Sequence, residues 1–238
     1  MEKRSTSDMN KERLDRKFLE SSGDGDIERM SGLLSSGADI HAQSDYALVY
    51  SAGNGNFEVV KLLIDLGADI HVKDGLALCS SARNGHPEVA RLLLDSGADI
   101  HAGKDYALRW ASFNGHTEVV RILVERGASI HAQNDYALRW AAEKGHLEVV
   151  KLLVGSGADV RADNDSALRQ SVSCSNVGVA MLLLEYGADL EVGITCALVA
   201  GESGMLDLLS RVKLAREETR ELSIEVPLPG QVDRMMRM

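Results

Sequence analysis

Apolar residues return along this chain in short helical groups. In one stretch Leu138 is followed by Val149, Leu152 and Leu153, with the small residues Ala137, Ala141 and Ala142 beside them. Such spacing puts the large side chains on one face of each of two short helices, and the alanines let those helices approach closely. The grouping is periodic. Gly-Ala-Asp begins at Gly37, Gly67, Gly97, Gly157 and Gly187, with Gly127-Ala128-Ser129 in the remaining slot. Ala-Leu begins at Ala47, Ala77, Ala107, Ala137, Ala167 and Ala197. Both registers advance by 30 residues, so the chain is an array of one repeated unit.

Polar punctuation divides each unit into two helices. Asp135 stands where a side-chain oxygen would cap a first helix, and Asp45, Asp105 and Asp165 hold the same place. Gly145 stops that helix by entering the left-handed region, and Gly157 ends the second helix. Glu148 lies in the first turn of the second helix, favoured by the dipole, and Pro87 opens the corresponding helix two units earlier. Glu58–Lys61, Glu88–Arg91, Glu118–Arg121 and Glu148–Lys151 are i,i+3 pairs that mark a solvated outer face. Helices of about nine residues are unstable in isolation, so each pair must bury its apolar face against its neighbours. The predicted fold is all-α, a solenoid of stacked antiparallel helix pairs around one aliphatic core.

The run Gly145-His-Leu-Glu-Val-Val-Lys-Leu-Leu-Val-Gly-Ser-Gly-Ala-Asp-Val160 resembles the second half of an ankyrin repeat. The likeness covers residues 15 to 212. It implies an ankyrin-repeat solenoid with shortened hairpin loops, because the usual period of about 33 residues has lost three. The family's Thr-Pro-Leu-His is here Tyr136-Ala-Leu-Arg139, a variety similar to the short-loop arrays of giant DNA viruses. The expected organisation is a flexible N-terminus over residues 1–10, an array of about seven helix pairs over 11–216, and a poorly ordered C-terminal tail over 217–238. The first and last pairs are read as caps: Glu20 and Arg29 replace apolar residues in the first, and the last has lost a residue before Gly204.

Composition narrows the function. The formal net charge is -10, and so acidic a chain would repel a phosphate backbone, which makes nucleic acid an unexpected ligand. Three cysteines, Cys79, Cys174 and Cys196, with no C-x-x-C spacing, fit a reducing cytoplasmic or nuclear setting rather than a disulfide framework. The first ten residues lack the apolar core of a signal peptide, and no apolar run approaches the roughly 18 residues of a membrane span. The seven histidines form two ladders, His41, His71, His101, His131 and His86, His116, His146. Neighbouring helices lie ~8–10 Å apart, whereas two nitrogens on one zinc lie within about 4.5 Å, so the ladders are assigned to turn hydrogen bonding and not to metal. No phosphate loop, H-E-x-x-H or G-x-S-x-G occurs, so neither a cofactor nor catalysis is expected.

The aromatic residues point to a binding surface. Tyr106, Trp110 and Phe113 are spaced i, i+4, i+7 on one first helix, and Tyr136, Trp140, Glu143 and Lys144 repeat the stripe in the next. The preceding unit interrupts it with Leu76, Ser80 and Arg83, leaving Tyr46 and Tyr50 as a smaller site. Together with Asn114, these residues are the predicted contact surface for another protein, on the concave face formed by the first helices, with packing under the flanking helices an equal alternative for Trp110 and Trp140. The array is expected to be monomeric. A competing expectation is a ubiquitin-ligase adaptor using the tail, where Leu228-Pro-Gly-Gln-Val232 resembles the opening of an F-box.

Overall fold

A computed structural model describes residues 6–225 and contains, among them, fourteen helices and no strand. The order is α1 (Thr6–Asp24), α2 (Ile27–Ser35), α3 (Tyr46–Gly53), α4 (Phe57–Asp65), α5 (Val72–Asn84), α6 (Pro87–Asp95) and α7 (Ala102–Asn114). It continues with α8 (Thr117–Glu125), α9 (Ala132–Lys144), α10 (Leu147–Gly155), α11 (Ala162–Ser173), α12 (Val177–Glu185), α13 (Leu190–Ala200) and α14 (Ser203–Glu225). Odd-numbered helices stack on odd-numbered ones and even on even, so the chain builds two layers. The first helices form the odd layer, referred to as the inner layer, and contact within it is closer than within the even, outer layer.

The core lies between the layers and runs the length of the array. Leu48, Leu78, Leu108, Leu138 and Leu168, one per first helix, are sealed from solvent, as are Leu63, Leu93, Leu123 and Leu153 from the second helices. Ala52, Ala82, Ala111 and Ala141 are fully buried where neighbouring helices meet. Gly145 ends α9 at φ 75°, and its amide donates to the Ala142 carbonyl. Pro87 occupies the start of α6.

The turns between units differ from the expected cap. Gln133, Asn134 and Asp135 are all left-handed, with φ of 58°, 58° and 54°. The same triple occurs at 43–45, 73–75, 103–105 and 163–165. An L-residue in this region loses roughly 1–2 kcal/mol relative to the right-handed one, so the turn must be held by other contacts. The aspartate supplies them, but not by capping its own helix. Asp135 Oδ1 accepts the backbone N–H of Asp159, 24 residues on, at 3.0 Å, and faces His131 Nδ1 at 3.1 Å. Asp45, Asp105 and Asp165 likewise accept from Asp69, Ser129 and Asp189. Each carboxylate is therefore a tether between consecutive units, buried at the seam.

The second histidine ladder performs a related task. His86, His116 and His146 point Nε2 at the carbonyls of Gly53, Arg83 and Phe113, 2.9–3.0 Å away at the C-terminal end of the preceding first helix. Asn176, in the unit that lacks the histidine, reaches the Ala142 and Glu143 carbonyls with Nδ2. Orphan carbonyls at helix ends are thus satisfied across units.

Of the expected outer ion pairs, Glu118–Arg121 and Glu148–Lys151 form at 3.3 and 2.7 Å, while Arg91 reaches across to Glu118 of the next unit at 3.9 Å. The boundaries also differ from those expected. α1 begins at Thr6, inside the segment read as loose, and α14 continues to Glu225, past the boundary placed at 216. Thr219 Oγ1 donates to the Ala215 carbonyl, as a hydroxyl does inside a helix. The F-box-like stretch Leu228–Val232 lies outside the described residues.

Candidate functional site

The 30-residue register brings the aromatic residues of α7 and α9 together. Within α7, Trp110 stands 5.9 Å from Tyr106 and 5.4 Å from Phe113, centroid to centroid, both edge-on. Within α9, Tyr136 and Trp140 are 4.5 Å apart. Across the seam Trp140 lies 5.4 Å from Trp110 and 4.9 Å from Phe113. The five rings form one contiguous cluster on the inner layer, with Tyr106 exposed and the rest half-buried. Tilted and edge-to-face arrangements of this kind favour ring pairs beyond simple burial.

Cations cover the cluster. Arg83 of α5 lies 4.6 Å from the Trp110 centroid, which carries the patch onto the unit that lacks aromatics. Arg109 sits 4.9 Å from Tyr106 and 5.8 Å from Tyr136, bridging the two units. Arg139 lies 4.6 Å from Tyr136, and Lys144 lies 4.8 Å from Phe113 while pairing with Glu143 at 2.8 Å. Asn114 turns back to donate to the Trp110 carbonyl of its own helix at 3.0 Å. Tyr46 and Tyr50 form a separate pair, 5.5 Å apart on α3, with Lys73 4.6 Å from the Tyr46 ring and Tyr50 exposed.

Arg109 and Arg139 are the residues the sequence reading left out, and with Arg169 they form a ladder. Each follows an Ala-Leu pair, and the signal was the same 30-residue register applied one position further along. Each donates from Nη2 back to a turn carbonyl: Arg109 to Gly103 at 2.7 Å, Arg139 to Gln133 at 3.1 Å, Arg169 to Asp163 at 3.0 Å. Arg139 also pairs with the Asp163 carboxylate. The Nε atoms of Arg109 and Arg139 are buried with no acceptor.

Charge separates the two layers. The helices α4, α6, α8, α10 and α12 carry eight acidic residues against four basic ones. The helices α5, α7, α9 and α11 carry seven basic residues, and three of their six acidic residues, Asp105, Asp135 and Asp165, are buried as tethers. From α5 to α11 the inner surface is therefore basic, on a chain whose net charge is -10.

Cys79 takes the place of the ladder arginine in α5. Burial pushes its thiol up to about 11, against the opposing pull of Arg83 and Arg109, so it is a neutral packing residue rather than a nucleophile. Cys174 is exposed, and Cys196 donates to the Arg169 carbonyl at 3.4 Å. Among the described residues no group of three His, Cys, Asp or Glu side chains could hold a metal ion, and no helix is long and apolar enough to cross a membrane.

The helix-pair stack, the terminal glycines and the 30-residue register define a repeat solenoid. The family model for ankyrin repeats, in three copies, matches residues 19–104, 76–134 and 108–194. The chain belongs to the ankyrin-repeat family, whose members are generally protein–protein interaction modules and typically non-catalytic. No match is found among curated proteins.

Proposed function

We propose that this protein is a non-catalytic scaffold that binds another protein on the concave inner layer, centred on α7 and α9. The observation that supports it is the five-ring cluster of Tyr106, Trp110, Phe113, Tyr136 and Trp140, exposed at Tyr106 and half-buried elsewhere, with Arg83, Arg109, Arg139 and Lys144 lying over it. Aromatic residues and arginines grouped in this way are the side chains that dominate interface energetics. The core of the array does not need them, because α5 packs into the same stack with Leu76, Cys79 and Ser80 at the matching positions.

The test compares affinity purification with three forms of the whole chain: wild type, the Tyr106→Ala/Phe113→Ala double variant, and a Glu148→Ala/Lys151→Ala control on the opposite layer. A partner held by the inner layer is depleted with the first variant and retained with the control, as read by quantitative mass spectrometry. Equal recovery with all three, at unchanged melting temperature, would place the partner elsewhere.

A further inference from the structure

We infer that the inner layer takes an extended acidic segment, wound as a polyproline-II helix, with carboxylates three residues apart. This rests on the inner layer being the binding surface and adds the chemistry of what it binds. Charge comes first. From α5 to α11 the inner layer exposes basic side chains while the outer layer is acidic, so a negatively charged partner is drawn to the middle of one side of the array and repelled from the other. Arg109 and Arg169 each donate only to a turn carbonyl, and the Arg109 Nε is buried without an acceptor. The Arg109 guanidinium, held on one edge and lying over Tyr106, is already oriented, so a carboxylate gains its hydrogen bonds there with little ordering cost.

Spacing specifies the conformation. Arg109, Arg139 and Arg169 occupy equivalent positions on successive helices, and packed helices stand ~8–10 Å apart. A polyproline-II segment has three residues per turn and rises about 3.1 Å per residue, so its residues i and i+3 share a face about 9 Å apart. That interval matches one unit of the array. A β-strand would turn residues i and i+3 to opposite faces. Beside the ladder the exposed Tyr106 ring offers apolar surface of the kind on which proline packs in such complexes.

A single-stranded nucleic acid would also seek cations and rings, but it needs open ring faces on which bases stack. Here the faces of Trp110, Tyr136 and Phe113 already carry Arg83, Arg139 and Lys144, and the rings meet one another edge-on. The observations favour the peptide.

The probes are fluorescein-labelled peptides of four Glu-Pro-Pro triplets, four Gln-Pro-Pro triplets, and a peptide of the first composition with its glutamates grouped together, alongside an oligothymidylate of the same length. Binding to the full chain is read by fluorescence anisotropy. The regularly spaced acidic peptide should bind at least about tenfold more tightly than the neutral and the grouped peptides, and weaken as salt rises from about 0.05 to about 0.3 M. Arg109→Gln should lose that preference. Asp163→Asn, which frees Arg139 from its pairing carboxylate and keeps a residue tolerant of the left-handed turn, should strengthen binding severalfold. A merely structural role for Asp163 would not produce a gain. Equal binding of acidic and neutral peptides overturns the inference; if that binding is still lost in Tyr106→Ala/Phe113→Ala, the scaffold reading survives. Tighter binding of oligothymidylate, or no binding of any probe, also overturns the inference. Binding indifferent to both the arginine and the aromatic variants overturns the inference and the scaffold reading together.

Discussion

The third and fifth units of the array share a backbone and differ most in the turn and the uncovered positions of the first helix. In the fifth, Asp135 tethers the following unit and Tyr136, Arg139 and Trp140 stand on the inner layer. In the third, Gly75 replaces the aspartate, so no carboxylate receives the Asp99 N–H, and Leu76, Cys79 and Ser80 replace the others. Yet Ala77, Leu78 and Ala82 are as buried as Ala137, Leu138 and Ala142. The comparison separates what the solenoid requires from what individual units carry: alanines and one leucine per first helix make the stack, and the remaining positions are open to other uses.

Replacing the shared leucine should have the largest effect. Leu138→Ala and Leu78→Ala should each cost about 2–5 kcal/mol in chemical denaturation, because both side chains are sealed and their cavities cannot collapse fully. Unequal costs, with one below about 1 kcal/mol, would break the equivalence of the two units.

The tether comes next. Asp135→Ala should destabilise by about 1–3 kcal/mol, because the Asp159 N–H is left without its acceptor and the left-handed turn without its brace. The third unit has no tether to lose. There Gly75→Ala acts through sterics: a Cβ at φ 74° would meet the Ala102 Cβ at 2.9 Å. Denaturation midpoints of the two variants, compared with wild type, check both claims.

Cys79 sharpens the comparison through pH. Its folded thiol titrates near 11, above its ordinary value near 9, so the unfolded chain releases this proton first as pH rises. The folded state therefore keeps its full stability below pH 9 and loses on the order of 2 kcal/mol of it by pH 11 through this group. Cys79→Ala should flatten the stability curve over that interval. No variant of Arg139, the matching residue of the fifth unit, should do so.

The smallest effect is a gain. Ser112 occupies a slot filled by alanine in both compared units, at Ala82 and Ala142, and its Oγ is buried without a partner. Ser112→Ala should raise stability by about 1 kcal/mol, read from the melting temperature.

Much of this was legible in the chain. Gly145, Gly157 and Pro87 carry their meaning in the residue itself, because backbone freedom and a missing N–H act locally. Periodicity exposed Leu138 and its equivalents, since burial follows the face of a helix. Asp135 was misread as a helix cap because its partner, the Asp159 amide, lies 24 residues away, and the preceding residues turn left-handed to reach it. The contact between Trp110 and Trp140 followed from the register, but Arg109 and Arg139 did not stand out, because an arginine after Ala-Leu reads as ordinary helix surface until Tyr106 and Tyr136 are placed beneath it. α14 was cut short at 216 because Glu217 to Glu225 is polar, and a polar segment that extends an established helix has no apolar period to betray it.

The turns at 103–105, 133–135 and 163–165 are, in handedness, fragments of a mirror-image helix inserted into an array of ordinary ones. A residue of inverted chirality at Asn134 would find there the conformation it prefers, whereas the same residue inside α9 beyond Tyr136 would break the helix. A chemically synthesised array could thus accept D-amino acids at a fixed 30-residue interval, at positions where peptidases built for L-chains meet a substrate they cannot process.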